Sequence, residues 1–282
     1  MNKEKFSIAL LGPTASGKTV LSLEIAKKFR KNIVNCDSCQ FMKEMQILSC
    51  SPTQEQIEES PHFLFNVLKN QKPNLGWWIE KISNIDNKLI VGGNGFYINS
   101  LEKGVPNVEI SEETQKKKKN IENWWQFLED NKMIGEIHSN DFYRIERKLD
   151  FFLETGQDFE SFPKKYSEKI FKILLLPDKT KIMENIASRT ESFIDKAIQE
   201  VEIYKSKGEI FSYYSRVIGF SEILNYLDGN ISHSKLIENI NLRSFQYAKQ
   251  QRKFFKKMSF DIIISEPKLM ASLMASLMAS SE

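Results

Sequence analysis

The chain has 282 residues, of which 41% are hydrophobic and 27% are charged, proportions that are ordinary for a folded globular protein and exclude wholesale disorder. The sequence contains no apolar run of about 18 residues, which excludes a transmembrane helix. Forty basic and 37 acidic side chains leave a net charge of +3, so the overall charge neither requires nor forbids a polyanionic partner.

The first predicted elements are a strand, a glycine-rich loop and a helix. An apolar run at 6–11 is typical of a buried strand, and apolar residues at helical spacing follow at 20–30. Between them, GPTASGKT matches the phosphate-binding pattern G-x-x-x-x-G-K-[ST], in which backbone N–H groups and the helix N-terminus surround a diphosphate. Lys18 supplies a positive charge there, and the Thr19 hydroxyl can bind Mg²⁺. The predicted diphosphate-binding residues are Gly12, Pro13, Thr14, Ala15, Ser16, Gly17, Lys18 and Thr19.

Three further strands are predicted at about 32–36, 88–92 and 169–176, alternating with helical stretches. This alternation predicts an α/β fold, a P-loop NTPase-like parallel sheet flanked by helices, with the ligand at the carboxyl ends of the strands. Nucleotide kinases use the same loop and hold Mg²⁺ with an Asp after a second strand. Asp37 occupies such a position, so these residues alone leave a small-molecule P-loop kinase open.

Further motifs follow the phosphate loop in a specific order. They are CDSCQFMKEMQI at 36–47, SPT and PHFL within 51–64, LIVGGNGFYINSLEKG at 89–104, IHSNDFYRIERKLDFFLETG at 137–156, RVIGFSEILNYLDG at 216–229 and SFQYAKQQRKFF at 244–255. In this order, over about 12–256, the chain resembles the tRNA dimethylallyltransferase family. The phosphate loop alone would be weak support, whereas Asp-Ser-x-Gln after it and Val-Gly-Gly-x-Gly-x-Tyr further on are much more specific.

The resemblance implies that the loop binds the diphosphate of dimethylallyl diphosphate rather than a nucleotide. The prenyl group would pass to N6 of the adenosine 3′-adjacent to the anticodon, with Mg²⁺ as cofactor and the tRNA anticodon stem-loop as partner. Asp37 corresponds to the family's base, and Thr19 and Asn94 to its other catalytic positions. The tRNA-binding positions that we carry over are Ser38, Gln40, Arg216, Gln246, Lys249 and Arg252.

Three departures from the family pattern bear on activity. Asn94 replaces a threonine near the leaving oxygen, the segment 48–52 lacks the family's lysine, and Phe245 stands where an anion-binding arginine is expected. A charge-assisted contact to a diphosphate is worth about 1.5–3 kcal/mol, so its loss would slow turnover about ten- to a hundredfold. A catalytically weakened relative that still binds tRNA therefore stays open beside the active enzyme.

The domain organisation follows from the same comparison. We predict a discontinuous core domain over 1–104 and 141–266, a helical insertion over 105–140 that grips tRNA, and a disordered repeat tail over 267–282. Within the insertion, residues 112–128 are predicted to form one helix with four consecutive lysines and two tryptophans, which suits an RNA surface or a solvated helix with core tryptophans equally. Near the C-terminus, the segment 235–265 carries seven basic and two acidic side chains, a net charge of +5 that favours an RNA backbone.

The cysteines give a last expectation. Three of them are too few for a disulfide framework, and the N-terminal residues lead straight into a strand rather than a signal peptide, so we expect a cytoplasmic protein. We also expect a monomer. Cys36, Cys39, Cys50 and His62 could be drawn as a zinc site. We do not favour that reading, because Asp37 and Ser38 lie between the first two cysteines and match the catalytic motif.

Overall fold

The structure of the protein is a computed structural model that describes residues 7–266 except 70–73, 105–107, 160, 162–168 and 209–211. The repeat tail predicted at 267–282 lies outside the described residues. The described residues form two compact units, the first drawn from 1–102 and 168–282 and the second from 103–167. The second unit extends beyond the insertion that we predicted over 105–140.

A six-stranded parallel sheet forms the centre of the first unit. The strands are β1 (Ser7–Leu11), β2 (Asn32–Asn35), β3 (His62–Phe63), β4 (Lys88–Gly92), β5 (Ile170–Leu175) and β6 (Ile262–Ile264). Their spatial order is β3-β2-β4-β1-β5-β6, and every neighbouring pair is parallel. The predicted fold class is confirmed, since continuous apolar runs such as SIALL produce strands that are buried on both faces.

Helices surround the sheet and form the second unit. Those of the first unit are α1 (Lys18–Phe29), α2 (Gln54–Glu59), α3 (Leu75–Ser83), α4 (Gly95–Lys103, whose last residue falls in the second unit), α8 (Lys179–Ser206), α9 (Phe220–Leu227) and α10 (His233–Phe255). Two short 3₁₀ turns span Ser38–Phe41 and Ser212–Arg216. Those of the second unit are α5 (Glu112–Lys119), α6 (Trp124–Asp130) and α7 (Phe142–Thr155). Among the described residues, none of the helices combines the length and apolarity that crossing a membrane requires.

The single helix predicted over 112–128 is wrong, because the chain breaks between α5 and α6. Asn120 ends the first helix, and the side chain of Asn123 accepts a 3.0 Å hydrogen bond from the Gln126 N–H and so begins the second. Asparagine competes for backbone hydrogen bonds, which favours helix ends over helix interiors. Both tryptophans at the start of α6 are partly buried against Leu128, which supports a core role for them.

Two apolar clusters position the elements around the carboxyl edge of the sheet. One packs α1 against the strands, and the other packs α8, α9 and α10 against the segment that follows the first 3₁₀ turn. Met42, Met45 and Leu48 from that segment are each buried in the second cluster. The helices α8 and α10 are thereby held beside the loops that carry the predicted site.

Candidate active site

A cavity of about 480 Å³ lies at the carboxyl ends of β1, β2 and β4. Parallel α/β sheets place their ligands at this edge, where the loops after adjacent strands diverge. The cavity brings together the phosphate loop, the start of the 3₁₀ turn, the two glycines at the end of β4 and one face of α8. Its polar lining residues are Thr14, Ser16, Lys18, Thr19, Ser22, Asp37, Gln40, Ser49, Cys50, His62, Asn185, Ser188, Arg189, Ser192 and Gln251.

The phosphate loop is closed around its own lysine. Lys18 Nζ donates hydrogen bonds of 2.9 Å and 2.7 Å to the carbonyls of Gly12 and Pro13. Gly17 has a φ of 93°, a left-handed conformation that glycine adopts without strain and that turns the chain into α1. At Gly12, a Cβ would lie 2.5 Å from the Leu175 carbonyl oxygen, so only glycine allows this close packing of the loop on β5.

Desolvation lowers the pKa of Lys18 from its usual 10.5 to about 8, and the nearby Arg189 contributes in the same direction. The Asp37 carboxylate opposes this shift. Two cations that share a desolvated cavity with one carboxylate form a site with surplus positive charge. Such an arrangement favours an anion, because an anion would restore the charge balance that burial disturbs.

Asp37 is fixed by backbone contacts at the end of β2. Its side chain accepts a 3.0 Å hydrogen bond from the Cys39 N–H and caps the 3₁₀ turn, while its own N–H donates to Asn35 Oδ1 at 2.8 Å. Desolvation raises the pKa of the Asp37 carboxyl above its usual 3.8, against the opposing effects of the Cys39 hydrogen bond and of the two nearby cations. The carboxylate thus has both a capping role and a place in the cavity.

Gln40 lines the cavity with its side-chain amide in a defined orientation. Nε2 donates hydrogen bonds of 3.1 Å to the Ser49 carbonyl and 2.8 Å to the Cys50 carbonyl. Because a carbonyl only accepts hydrogen bonds, these partners fix which end of the amide is the nitrogen. Both donor hydrogens of this amide are therefore used within the protein.

Residues 14–19 of the predicted phosphate loop line the cavity, whereas Gly12, Pro13, Asn94 and every predicted tRNA-binding residue except Gln40 lie outside its described lining. Gln246 and Lys249 are exposed on α10, and Arg216 is exposed at the end of its 3₁₀ turn. Arg252 Nη1 donates a 2.6 Å hydrogen bond to the Pro177 carbonyl. Asn94 follows Gly92, the last residue of β4, and Gly93, and its backbone carbonyl accepts from the Cys36 thiol at 3.5 Å. Of the predicted tRNA contacts, Gln40 is the one that lines the cavity; Ser38 lies two residues before it, in the same 3₁₀ turn.

Two side chains that we did not predict, Gln251 and Asn185, secure the phosphate loop. Gln251 Oε1 accepts a 2.7 Å hydrogen bond from the Thr14 N–H, and its Nε2 donates to the Gly93 carbonyl at 3.0 Å. A Cβ on Gly93 would lie 2.1 Å from that nitrogen, so the contact requires glycine. Asn185 Nδ2 donates to the Ala15 carbonyl at 2.9 Å. Helical spacing could have revealed Gln251, because it falls on the buried face of α10 formed by Ser244, Ala248 and Phe255.

Arg189, also not predicted, brings a second cation to the cavity. Its Nε is buried without a hydrogen-bond partner among the described residues, although buried guanidinium groups are normally paired. Phe245, which replaces the expected arginine, instead packs against Ile182 and Ile186. The nearby Arg243 pairs with Glu222 at 2.6 Å. Among the described residues, Arg189 is therefore the arginine that lines the cavity.

The donor groups present suit Mg²⁺ better than zinc. The Thr19 hydroxyl and the Asp37 carboxylate line one cavity, and Mg²⁺ commonly takes one or two protein oxygens together with phosphate oxygens and water. Burial raises the pKa of the Cys36, Cys39 and Cys50 thiols, which keeps them protonated and poor zinc ligands. Within the part of the chain that the structure describes, no group of three or more histidine, cysteine or acidic side chains could hold a metal ion.

Comparison with known proteins gives a consistent result. The sequence model of the family described as IPP transferase matches residues 40–258. The tRNA dimethylallyltransferase of Rickettsia conorii is 33% identical over 291 aligned positions, which cover 94% of this chain and 80% of the relative. That of Rickettsia felis is 34% identical, with 90% of this chain and 91% of the relative covered.

Solved structures are similar in fold. The tRNA delta(2)-isopentenylpyrophosphate transferase from Staphylococcus epidermidis is 26% identical, with a TM-score of 0.68 and coverage of 99% of this chain and 100% of that one. A eukaryotic dimethylallyltransferase acting on tRNA has a TM-score of 0.77 at 24% identity, covering 90% of this chain and 70% of that one, which supports the fold alone. The family model matches more than half of the chain, and the two Rickettsia proteins are 33% and 34% identical to it. These two findings show that the chain belongs to the IPP transferase family.

Proposed function

We propose that this protein transfers a dimethylallyl group from dimethylallyl diphosphate to N6 of the adenosine 3′-adjacent to the anticodon of tRNA. The observation that carries the proposal is that the phosphate loop and the Asp37 carboxylate line one cavity. A binding site for the diphosphate leaving group and a base for the attacking amine are therefore available in the same cavity. Relatives that are at least 30% identical over most of the chain and named tRNA dimethylallyltransferase support the same reaction.

The departing diphosphate is bound by the loop and by two cations. Backbone N–H groups at the α1 N-terminus, together with Lys18 and Arg189, stabilise the negative charge that develops as the allylic C–O bond breaks. Mg²⁺ held by the Thr19 hydroxyl, with Asp37 nearby, would add positive charge at the same oxygens. Asn94 stays our prediction for a further hydrogen bond at the leaving oxygen.

Asp37 is the proposed general base. The adenine amine is a weak nucleophile because its lone pair is delocalised into the ring, so a carboxylate that accepts its proton assists the attack. In the balanced reaction the N6–C1 bond forms, the C1–O bond breaks, the N6 proton passes to Asp37 and diphosphate leaves. The raised pKa of Asp37 makes this carboxylate a stronger proton acceptor than an exposed one, and Lys18 and Arg189 oppose the rise by favouring its charged form.

RNA recognition is proposed to use Gln40 in the cavity and a set of surrounding polar and basic side chains. Gln40 lines the cavity, where it would contact the target base once that base has been drawn out of the loop. Ser38, Arg216, Gln246, Lys249 and Arg252 stay predictions for the surrounding tRNA contacts. The protein is further proposed to act as a cytoplasmic monomer.

One assay separates this proposal from its alternatives. Purified protein is incubated with Mg²⁺, dimethylallyl diphosphate and an unmodified tRNA with adenosine 3′ of the anticodon, and the nucleosides are then resolved by mass spectrometry. Prenylated adenosine supports the proposal. RNA binding without product would indicate a weakened relative, and phosphoryl transfer from ATP in a parallel reaction would indicate a kinase.

A further inference from the structure

The turn over residues 46–51 differs from the family pattern and borders the cavity. Leu48, Ser49, Cys50 and Ser51 occupy the segment that lacks the family's lysine. Ser49 and Cys50 line the cavity, and their carbonyls accept both donor hydrogens of the Gln40 amide. The position of this turn consequently determines the orientation of the Gln40 side chain.

The backbone of the turn is held in an unfavourable conformation. Met45, immediately before the turn, and Cys50, within it, have φ values of 59° and 54°, in the left-handed region. In this region the Cβ of a residue other than glycine crowds the neighbouring carbonyl oxygen. Such a conformation persists only where surrounding contacts fix it, so the turn requires anchors from elsewhere in the fold.

Glu200 on α8 supplies a polar anchor. Its Oε1 accepts a 2.9 Å hydrogen bond from the Ile47 N–H, and its Oε2 accepts one of 3.0 Å from the Leu48 N–H. Hydrogen bonds to an ionised carboxylate are stronger than those between neutral groups, and the two together restrict both position and rotation of the turn. The buried Leu48 side chain supplies an apolar anchor. It packs closely on Gly219, because a Cβ added to that glycine would lie only 2.7 Å from Leu48 Cδ1.

We propose that Glu200 is a positioning residue that acts through the 46–51 turn on Gln40, and so on recognition of the target adenine. Glu200 itself is outside the described cavity lining, so its effect on RNA passes through the turn. With the turn fixed, the Gln40 nitrogen stays bound to the Ser49 and Cys50 carbonyls, and the amide keeps a single orientation. If the carboxylate is removed, the turn can relax, the amide can rotate, and the base is bound less well. This inference rests on the proposed function, in which Gln40 contacts the base.

A double-mutant cycle tests the proposal. kcat/KM for tRNA is measured for the wild type, Glu200→Ala, Gln40→Ala and the double variant, together with stem-loop RNA affinity. Glu200→Ala should lower kcat/KM for tRNA about tenfold in the wild-type background. In the Gln40→Ala background it should have no further effect, because the side chain through which it acts is gone.

Two controls separate positioning from general destabilisation. Glu202→Ala removes the same charge from an exposed site on the same helix and should leave kcat/KM unchanged. Pyrophosphate affinity should be equal in the wild type and in Glu200→Ala, which shows that the phosphate loop is intact. Should Glu200→Ala fail to fold, Glu200→Gln, which keeps one acceptor oxygen, should give a smaller loss that again vanishes in the Gln40→Ala background.

An equal loss in both backgrounds would overturn the inference, since Glu200 would then act independently of Gln40. Failure of the proposed function has a different signature, namely no prenylated adenosine from the wild type. In that case the same cycle applied to stem-loop RNA affinity still decides the role of Glu200, with the same expected and contradicting patterns.

Discussion

The side chain of Gln251 accepts a 2.7 Å hydrogen bond from the Thr14 N–H, so helix α10 is tied directly to the phosphate loop. The second half of the same amide donates to the Gly93 carbonyl. One buried side chain therefore joins the loops that follow β1 and β4, both of which line the cavity. We expect the spacing of these two loops to affect how well the proposed diphosphate is bound.

The first prediction concerns this bridge. Gln251→Met keeps the length of the side chain but removes both hydrogen bonds, leaving the Thr14 N–H and the Gly93 carbonyl unpaired. Pyrophosphate affinity measured by calorimetry should fall about tenfold, since a lost buried hydrogen bond costs roughly 1–3 kcal/mol. Gln250→Met, at an exposed neighbouring position, serves as the control and should bind pyrophosphate like the wild type. Unchanged affinity in Gln251→Met would refute the bridging role.

The second prediction concerns the proposed base. Asp37→Asn retains an oxygen that can cap the 3₁₀ turn but cannot accept a proton from the adenine amine. Single-turnover prenylation should therefore slow by about 10²- to 10⁴-fold, the usual range for a lost general base. Pyrophosphate affinity should be retained or slightly increased, because a negative charge has left the cavity. A fully active Asp37→Asn enzyme would remove Asp37 from this role.

The third prediction is a pH dependence of anion binding. Lys18 has a pKa of about 8 in the ligand-free protein, and only its charged form attracts pyrophosphate. Affinity for pyrophosphate should therefore be highest below pH 8 and should fall as the pH rises above it. Above that pH the free lysine is largely neutral and must take up a proton before it can pair with the anion. Lys18→Arg stays charged throughout this range, so its affinity should lack the decline. Identical pH profiles for the two proteins would show that Lys18 does not titrate as described.

The fourth prediction assigns the anion-binding arginine. Arg189→Ala should lower kcat about ten- to a hundredfold, as expected for loss of a charge-assisted contact to the leaving group. Lys196→Ala, an exposed cation on the same helix, should be without effect. Phe245→Arg should give no gain in turnover and should lower the melting temperature, since Phe245 packs against Ile182 and Ile186. A gain in turnover would mean that Arg189 does not provide the missing charge.

The fifth prediction concerns the RNA partner. If the exposed lysines of α10 contact phosphates, stem-loop affinity should fall steeply as the salt concentration rises. Lys249→Ala should weaken binding and reduce the slope of log affinity against log salt by about one. A flat salt response of the wild type would exclude an RNA-phosphate contact surface.

Most of the sheet could be predicted because its strands are local apolar runs. The segments that became β1, β2, β4 and β5 were each identified, whereas β3 and β6 have only two and three residues and carry no periodic signal. The helix predicted over 112–128 failed at Asn120 and Asn123, where asparagine ends one helix and begins the next.

The candidate site also contains residues that the sequence predicted and residues that it did not. The phosphate loop was predictable since eight consecutive residues form it, and Asp37 followed from its place after a strand. Gln251 and Arg189 were missed because their roles come from tertiary contacts; the Gln251–Thr14 hydrogen bond joins residues 237 positions apart. The orientation of Gln40 likewise depends on the carbonyls of a turn whose backbone conformation the sequence does not encode locally.

A crystal structure with an anticodon stem-loop and an unreactive thio analogue of dimethylallyl diphosphate tests the proposed reaction most directly. We predict the diphosphate within residues 12–19, in contact with Lys18 and Arg189, and an Asp37 oxygen within hydrogen-bond distance of the adenine N6. An adenine amine directed away from Asp37, or a diphosphate bound outside the phosphate loop, would contradict it.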